Sequence, residues 1–334
     1  MTRLNTQCRL ATRPTGLPGP EVWDIVTEPM LVPGDGQFLV EVGWLSVDPA
    51  MRTWLNEGRS YVPPVGIGEV MRAGGVGRVV ESSHPGFPVG TTVFGPFGVQ
   101  RYALSDGTGV TAVDTATAAP SVQLGVLGIS GLTAYFGLFD IGRPEPGQTV
   151  LVSGAAGSVG TVVGQLARIH GCRTIGVAGG PDKCRWLTED VGFDAAIDYK
   201  SADLRAELRI HAPNGIDVFF DNTGGPILEA ALNRLARDAR IVLCGAASQY
   251  NDAPRGPANY MQLLVSRASM TGFVIFDYED RYPQARRQLA EWLGDGRLSA
   301  HEHVVTGTVA DFPSTLLDLF AGRNRGKLVL ELRD

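Results

Sequence analysis

Three glycines with regular spacing carry the strongest chemical signal in the sequence. In TVLVSGAAGSVGTVVGQLARIHG, Gly154, Gly157 and Gly160 form a G-x-x-G-x-x-G pattern between a predicted strand and a predicted helix. Glycine permits a tight turn and lets backbone N–H groups approach a pyrophosphate, which the positive end of the following helix also stabilises. An ordinary strand-to-helix turn is the alternative, but the flanking elements favour a dinucleotide-binding turn.

The end of the next predicted strand indicates which dinucleotide this turn would hold. An NAD site usually has Asp or Glu there, about 20 residues past the glycines and beside the adenosine ribose. Here TIGVAGG ends without a carboxylate, and Lys183 follows at the start of the next helix. Its ammonium could pair with a 2′-phosphate, although a solvated surface lysine is the alternative. The missing acid favours NADP(H) as the cofactor.

Alternating elements must position these residues. Residues 1 to about 120 alternate short apolar runs with Gly, Pro and Asp turns, which predicts short antiparallel strands. From Gly125 strands alternate with helices, which predicts an α/β fold with a parallel, doubly wound sheet. The predicted helices are GVLGISGLTAYFGLFD, SVGTVVGQLARIHG, DKCRWLTEDVG, ILEAALNRLARD and QARRQLAEWLGDGRL, and the predicted strands are TVLVSGA, CRTIGVAGG, AAIDY, GIDVFFDN, ARIVLCGA and SMTGFVIF. The stretch from Ser248 to Met261 reads as a long loop, a feature that is often functional.

Composition bounds the class of protein. A length of 334 residues favours two domains, and 44% hydrophobic with 19% charged residues is typical of a globular chain. The formal charge of −6, without a run of Lys or Arg, argues against binding to nucleic acid or an anionic membrane. Neither a signal peptide nor an apolar run of about 20 residues is present. We therefore expect a cytoplasmic protein whose partners are small molecules.

The spacing of the cysteines and histidines indicates neither a disulfide framework nor a metal site. Cys8, Cys172, Cys184 and Cys244 are scattered without CxxC spacing, so we expect reduced, mostly buried thiols. His301 and His303 flank a carboxylate in HEH, but with no further ligand nearby such a pair is usually a solvated edge. No metal site is predicted.

Six motifs carry a family resemblance: DPAMR (48–52), GLTAY (131–135), AAGSVG (155–160), FDNTGG (220–225), CGAASQYN (244–251) and GRNRGK (322–327). Over nearly its whole length the chain resembles the zinc-independent medium-chain dehydrogenase/reductases, specifically the leukotriene B4 dehydrogenase, prostaglandin reductase and alkenal double-bond reductase group. The resemblance implies a GroES-like β-barrel domain from residues 1–124 and 299–334. It implies a Rossmann domain that binds NADPH over residues 125–298.

The resemblance also implies the cofactor residues and the oligomeric state. Members of this group are commonly homodimers, and the strand that matches SMTGFVIF tends to join the two sheets. Carried over by motif, the cofactor residues are Gly157, Ser158, Val159, Gly160, Lys183, Tyr199, Asn222, Cys244, Gly245, Ala246, Ser248, Tyr250, Phe273, Val274, Ile275 and Asn324.

Zinc-dependent relatives provide a contrast. Their catalytic metal needs a Cys near the first strand pair and a His-Glu pair after a glycine. The corresponding stretches here read LSVDPAMR and VGIGEVM, which leaves Glu69 without its histidine. Without zinc to polarise an alcohol, the expected hydride acceptor is a double bond conjugated to a carbonyl. Hydride would add at the β-carbon, negative charge would develop on the oxygen, and a proton would arrive at the α-carbon.

Tyr250 is the candidate catalytic residue, because a hydrogen-bond donor near that oxygen would stabilise the transition state. A hydroxyl of the cofactor's ribose is an alternative donor, and Tyr250 could instead pack against the cofactor. Substrate residues are less defined, since Ala50 stands where related sequences often have a tyrosine. Tyr61 and Tyr260 are candidates to fill that space, with packing or surface positions as the alternative.

Two arginines could meet an acidic substrate. Arg52 and Arg72 lie near the same stretch, and structural ion pairs with Glu69 or Asp48 are the alternative. The sequence thus predicts NADPH-dependent reduction of 2-alkenals or 2-alkenones. Quinone reduction, an enoyl reductase acting on a carrier-bound chain, and a non-catalytic NADPH-binding protein remain alternatives.

Overall fold

The computed structural model describes residues 4–333. The chain forms two compact units: one runs to Leu124 and resumes at Glu302, and the other is Gly125–His301. The second boundary had been predicted at 298, before the observed end of this unit at His301. Within residues 4–333 no helix is long and apolar enough to cross a membrane.

Fifteen strands and nine α-helices are found in this described part of the chain. The strands are β1 (Leu4–Leu10), β2 (Trp23–Pro29), β3 (Phe38–Ser46), β4 (Gly75–Ser82), β5 (Thr92–Gly95), β6 (Tyr102–Ser105), β7 (Thr111–Ala112), β8 (Thr149–Ser153), β9 (Arg173–Ala178), β10 (Ala195–Asp198), β11 (Ile216–Asp221), β12 (Leu235–Leu243), β13 (Ser269–Gly272), β14 (Glu302–Gly307) and β15 (Lys327–Leu332). The helices are α1 (Pro120–Leu124), α2 (Ile129–Phe136), α3 (Ser158–Ile169), α4 (Pro181–Trp186), α5 (Leu204–His211), α6 (Gly225–Leu232), α7 (Gln262–Ser266), α8 (Tyr282–Gly294) and α9 (Phe312–Phe320).

The first unit is built on β-structure. Strands β1 and β2 form an antiparallel pair, and a larger sheet has the order β14-β15-β3-β4-β5-β7, with β6 also paired to β3. Strand β15 pairs antiparallel with β3, so the C-terminal strands complete the sheet that the N-terminal strands begin. Apolar side chains such as Phe38, Met51 and Phe312 are fully buried in its core. This arrangement confirms the GroES-like β fold.

The second unit contains a six-stranded parallel sheet with the order β10-β9-β8-β11-β12-β13. Ranked along the unit, this is the 3-2-1-4-5-6 order of a Rossmann fold, which confirms the predicted doubly wound sheet. Strand β8 is buried along nearly its whole length because helices cover both faces of such a sheet. In open parallel sheets ligands bind at the carboxyl ends of the strands where the strand order reverses, here between β8 and β11.

The predicted helix ILEAALNRLARD is wrong in its second half. Helix α6 ends at Leu232, and β12 begins at Leu235. The backbone N–H of Ile216 donates to the carbonyl of Arg234 (2.9 Å), and Leu235 pairs with Ile216 in the sheet. Strand pairing therefore overrides the helix-forming tendency of these residues.

Two further elements differ from the sequence analysis. Only residues 269–272 of SMTGFVIF form a strand, and a 3-10 helix follows over Ile275–Arg281. Helix α5 had not been predicted, although Asp203 supplies a clear N-cap. Its carboxylate accepts the backbone N–H groups of Arg205 (3.0 Å) and Ala206 (3.3 Å), which is the usual signal for a helix start.

Candidate active site

The turn after β8 is shaped by its glycines. Gly157 is the N-cap of α3, and its N–H donates to the carbonyl of Gly154 (2.9 Å). A Cβ on Gly160 would lie 2.4 Å from the oxygen of Gly154 and 2.7 Å from the Cα of Ala155. Only glycine therefore lets α3 begin directly against the turn, as the third glycine of a dinucleotide-binding turn does.

Ser158 opens the helix that follows this turn. Within residues 4–333 its hydroxyl oxygen is buried and has no hydrogen-bond partner. The first N–H groups of an α-helix also have no intrahelical partner and attract anions. A phosphate oxygen would satisfy both kinds of donor, so the residues present here fit the pyrophosphate of a dinucleotide.

Asp221, at the end of β11, joins β8 to the loop that follows β11. Its Oδ1 accepts hydrogen bonds from the hydroxyl of Ser153 (2.6 Å) and from the backbone N–H groups of Thr223 and Gly224 (3.0 Å each). Burial raises the pKa of this carboxyl, while the bonds from Ser153, Gly224 and Thr223 oppose that rise. The sequence analysis missed this role, although the acid follows an apolar strand within the FDNTGG motif.

The adjacent Asn222 strengthens the same junction. Its backbone N–H donates to the hydroxyl of Ser153 (2.8 Å), and its side-chain amide donates to the carbonyl of Ser153 (2.7 Å). The carboxyl ends of β8 and β11 are thereby fixed side by side at the point where the strand order reverses.

The loop after β12 is tied to this junction. The N–H of Cys244 donates to the carbonyl of Asp221 (2.9 Å), and the hydroxyl of Ser248 donates to the carbonyl of Thr223 (2.6 Å). Burial, with a smaller contribution from Asp221, raises the pKa of the Cys244 thiol to about 12. Cys244 is therefore protonated at neutral pH and shapes the loop rather than acting as a nucleophile.

Tyr250 folds back over its own loop. Its phenol oxygen accepts the backbone N–H of Ala246 (3.2 Å), and a Cβ on Gly245 would lie 2.8 Å from that oxygen. This contact supports the packing alternative. It uses a lone pair of the phenol rather than its proton, so the donor role stays a prediction.

Strands β9 and β10 end side by side, with Ala178 paired to Asp198. The ring of Tyr199 and the side chain of Lys200 reach across to Gly179, where a Cβ would lie 2.9 Å from Cε of Lys200 and 3.1 Å from a ring carbon of Tyr199. Lys183 follows in the first turn of α4. Lys183 and Tyr199 are the residues predicted for this edge, and the side chain of Lys200 lies there as well.

A cavity of about 250 Å³ opens beside Tyr199. Leu204, Pro226 and Ile227 contribute apolar walls, and Asp203 lies among the polar residues that line it. The cavity lies near the end of β10 and the start of α6, so it adjoins the edge that carries Lys183.

The segment 273–275 follows the edge strand β13. The phenol of Tyr282 donates to the carbonyl of Ile275 (3.0 Å), and Phe273 meets Tyr278 edge to face at 6.3 Å. Aromatic contacts and this hydrogen bond therefore hold the backbone of a segment for which the resemblance implies cofactor contact.

Arg52, in the first unit, is a structural residue. Its guanidinium is buried and donates to the carbonyls of Gly16 (2.8 Å) and Pro14 (3.2 Å) and to Oδ1 of Asn56 (2.6 Å). Because these bonds engage all three of its nitrogens, Arg52 holds the 14–16 segment rather than facing a substrate.

The ion pairs considered for the two arginines do not form within residues 4–333. Asp48 pairs with Lys327 (2.5 Å), and the carboxylate of Glu69 accepts the N–H of Gly66 (2.7 Å). Arg72 instead lies over the ring of Trp54, 5.4 Å from its centroid. The ion-pair alternative is therefore not found in the described structure, where Arg52 binds backbone carbonyls and the side chain of Asn56, and Arg72 packs on an aromatic ring.

The other residues predicted for the cofactor or substrate site have different local environments. In the first unit Tyr61 is exposed and accepts the indole N–H of Trp54 (3.3 Å), whereas Asn324 is buried and donates to the carbonyl of Gly326 (2.8 Å). In the second unit Tyr260 lies exposed beside Met261.

The histidines of HEH lie apart from any metal-binding arrangement in the described structure. His301 meets Trp186 edge to face at 5.3 Å, and burial lowers the pKa of its imidazole. Within residues 4–333 no group of three or more His, Cys, Asp or Glu side chains is arranged to hold a metal ion.

Known proteins are similar to this chain over nearly its whole length. Residues 6–113 match a family model described as the N-terminal domain of oxidoreductase, and residues 158–291 match one described as zinc-binding dehydrogenase. The chain is 40% identical to the NADPH-dependent curcumin reductase of Escherichia coli (strain K12), covering 98% of this chain and 97% of that one. It is 37% identical to the 2-alkenal reductase (NADP(+)-dependent) of Nicotiana tabacum, with coverage of 98% and 97%.

A solved structure shows the same likeness in three dimensions. The crystal structure of CurA in complex with NADPH from Vibrio vulnificus matches this fold with a TM-score of 0.93 and 40% identity, covering 98% of this chain and 99% of that one. Sequence identity and fold therefore agree with the motifs at both ends of the chain. The protein belongs to the zinc-independent medium-chain dehydrogenase/reductases.

Proposed function

We propose that this protein uses NADPH to reduce the carbon–carbon double bond of α,β-unsaturated aldehydes or ketones. The observation that carries the proposal is the turn after β8, where a buried, unpartnered Ser158 hydroxyl meets the open N–H groups of α3 within residues 4–333. The relatives that are named for curcumin and 2-alkenal reduction support the reaction class.

The proposed cofactor site follows the carboxyl edge of the parallel sheet. The turn from Gly157 through Val159 to Gly160 would hold the pyrophosphate, and Lys183 with Tyr199 would hold the 2′-phosphate. The cavity beside Tyr199 would take the adenine ring. The other proposed contacts are Asn222, Cys244, Gly245, Ala246, Ser248, Tyr250, Phe273, Val274, Ile275 and Asn324.

Tyr250 is the proposed hydrogen-bond donor for the reaction. When bound, NADPH supplies a hydride for the electron-poor carbon of a conjugated double bond. A donor at the substrate carbonyl then stabilises the negative charge that develops on its oxygen. Because hydrogen bonds in series polarise one another, the N–H that Ala246 gives to the phenol oxygen makes Tyr250 a stronger donor.

Turnover by the purified protein tests this proposal. NADPH oxidation is followed with a panel of enals, enones and quinones, and the products are identified. We expect saturated aldehydes or ketones as products. Quinols as the main product would support quinone reduction instead, and poor activity on free aldehydes would favour a carrier-bound substrate. NADPH binding without any turnover would support a non-catalytic role.

We also propose that the protein is a homodimer joined through β13. This strand lies at the edge of the parallel sheet, and α7 just before it exposes Leu264 (69%) with its neighbour Val265. Unpaired edges and exposed apolar side chains favour association. Sedimentation should show a dimer that Leu264→Asp weakens, while Ile210→Asp, at an equally exposed position on α5 (66%), leaves it intact. A monomeric wild-type protein would contradict the proposal.

A cytoplasmic location is likewise proposed from the sequence, together with partners that are small molecules. Fractionation of cells that express the chain tests the location. Recovery of the protein with the membrane or secreted fraction would contradict it.

A further inference from the structure

The edge after β9 carries a lysine that the motifs do not assign. We propose that Lys200 determines coenzyme specificity, its ammonium binding the 2′-phosphate of NADPH together with Lys183. This inference rests on the proposed function, since it concerns the same coenzyme. It adds a second cation, contributed by the neighbouring strand, to the site.

The position of the Lys200 side chain carries the inference. Strand β9 ends at Ala178 and β10 at Asp198, and these two residues are paired. The chain after β10 turns back so that Cε of Lys200 lies 2.9 Å from where a Cβ of Gly179 would stand. Nζ is one bond further. The ammonium is therefore within reach of the strand end where an NAD-binding protein usually has its acid.

A neighbouring carboxylate, that of Asp198, is already engaged. Its Oδ1 accepts the backbone N–H groups of Gly180 (2.7 Å) and Lys200 (3.0 Å), and its Oδ2 accepts the hydroxyl of Ser201 (2.7 Å). The bonds from Ser201 and Gly180 hold the pKa of Asp198 below its ordinary value, so the group is charged at neutral pH. The Lys200 ammonium offsets this charge, which would otherwise repel a phosphate.

A carboxylate on the neighbouring helix is also paired. Asp182, in the first turn of α4, pairs with Arg185 at 3.3 Å. Within residues 4–333 no ion pair joins Lys200 to a carboxylate. The chain has only three lysines, Lys183, Lys200 and Lys327, and the first two flank the same turn. Two ammonium groups with several rotatable donors suit a phosphate, whose charge and oxygens NADH lacks at this position.

Binding of NADPH, NADH and 2′,5′-ADP to the wild-type protein and to Lys200→Met tests the inference. We expect the Kd for NADPH and for 2′,5′-ADP to rise about tenfold in the variant, because a bond to a charged group is lost. The Kd for NADH should stay within about twofold, since no phosphate is there to lose contact. Lys200→Arg, which keeps the charge, should retain most of the preference for NADPH.

Arg173→Met is the matched control. Arg173 is exposed at the opposite end of β9, so the variant removes one positive charge from the same sheet, about 20 Å away along the strand. We expect it to leave the affinities for both coenzymes unchanged. An equal loss in Arg173→Met would overturn the inference, because overall charge would then explain the effect.

Different results would overturn the proposed function and the role of Lys200. A wild-type protein that does not bind NADPH overturns the proposed function itself. A wild-type protein that binds NADPH well, with Lys200→Met unchanged or equally weakened towards NADPH and NADH, overturns only the role of Lys200. Melting temperatures of the variants confirm that each is folded, and Lys200→Gln provides a second neutral variant.

Discussion

The turn after β8 and the edge after β9 differ in how the fold holds them. At the turn, backbone contacts dictate the residue: Gly160 has no room for a Cβ, and the hydroxyl oxygen of Ser158 is buried. At the edge, Tyr199 is 45% exposed and Lys200 is exposed, so long side chains supply the chemistry. On the proposed function, the backbone of the turn would supply the capacity to bind a dinucleotide, while replaceable side chains at the edge would supply the choice between dinucleotides.

Gly160→Val should give the largest effect. The new side chain would overlap the backbone of Gly154 and Ala155, so we expect a loss of about 3 kcal/mol in unfolding free energy. Affinity for NADPH and NADH should fall together. Denaturant unfolding and coenzyme titration measure both. Gly294→Ala, where a Cβ meets nothing within 4 Å, is the control and should change neither property appreciably. Selective loss of NADPH binding in Gly160→Val would contradict the view that the turn acts on both coenzymes alike.

Tyr250→Phe separates chemistry from binding. Removal of a donor to the developing oxyanion should lower kcat about a hundredfold, while the Kd for NADPH changes little. Steady-state kinetics and titration measure the two quantities. Tyr102→Phe removes a phenol that donates to Glu41 in the first unit and serves as the control. A kcat close to that of the wild type in Tyr250→Phe would assign the residue to packing.

Asp221→Ala probes the junction that supports the turn. The hydroxyl of Ser153 and the N–H groups of Thr223 and Gly224 would lose their acceptor, so we expect destabilisation by about 2 kcal/mol. Asp221→Asn keeps one acceptor oxygen and should be less destabilised. Urea unfolding measures both variants. Equal stability of Asp221→Ala and the wild type would show that the junction does not depend on this carboxyl.

The difference in stability between Asp221→Asn and the wild type should depend on pH. Because burial raises the pKa of Asp221 above its ordinary 3.8, the folded state binds this proton more tightly than the unfolded state. The stability contributed by the protonated group is therefore present at low pH and is lost as pH rises through the folded pKa. Asp221→Asn cannot titrate there, so its stability relative to the wild type should increase as pH rises from the ordinary pKa of an aspartate through the raised pKa of the folded state. A constant difference would contradict the raised pKa.

Lys183→Met should have the smallest effect on the fold and the most selective effect on binding. We expect the Kd for NADPH to rise about tenfold, with no change in melting temperature and little change for NADH. Fluorescence titration with both coenzymes provides the measurement. An equal rise in Kd for NADPH and NADH would mean that Lys183 contacts a group that both coenzymes carry.

The sequence predicted the parts that local pattern determines. The glycines, the missing acid at the end of β9 and the alternation of strands and helices predicted the Rossmann unit and its phosphate-binding turn. Lys200 belongs to none of the recognised motifs, and its place beside the end of β9 follows only from the pairing of β9 with β10. Neighbouring strand ends therefore need to be considered together.

The start of β12 and the hydrogen-bond partners of Arg52 could not be predicted from local sequence. The start of β12 at Leu235 depends on pairing with Ile216, which lies on another strand. Arg52 binds the carbonyls of Pro14 and Gly16, and a backbone acceptor leaves no mark on the sequence. Residues whose partners are backbone atoms of distant segments are the ones that sequence analysis assigns wrongly.

Strand β15 has a consequence for biosynthesis. It lies between β14 and β3 in the sheet of the first unit, yet it is translated only after the whole of the second unit. On the ribosome, β3 therefore emerges long before its neighbour, while the central unit is already complete in sequence and can fold. Translation thus orders assembly, with the inserted unit first and the surrounding one last, and premature termination would leave an open strand edge vulnerable to aggregation.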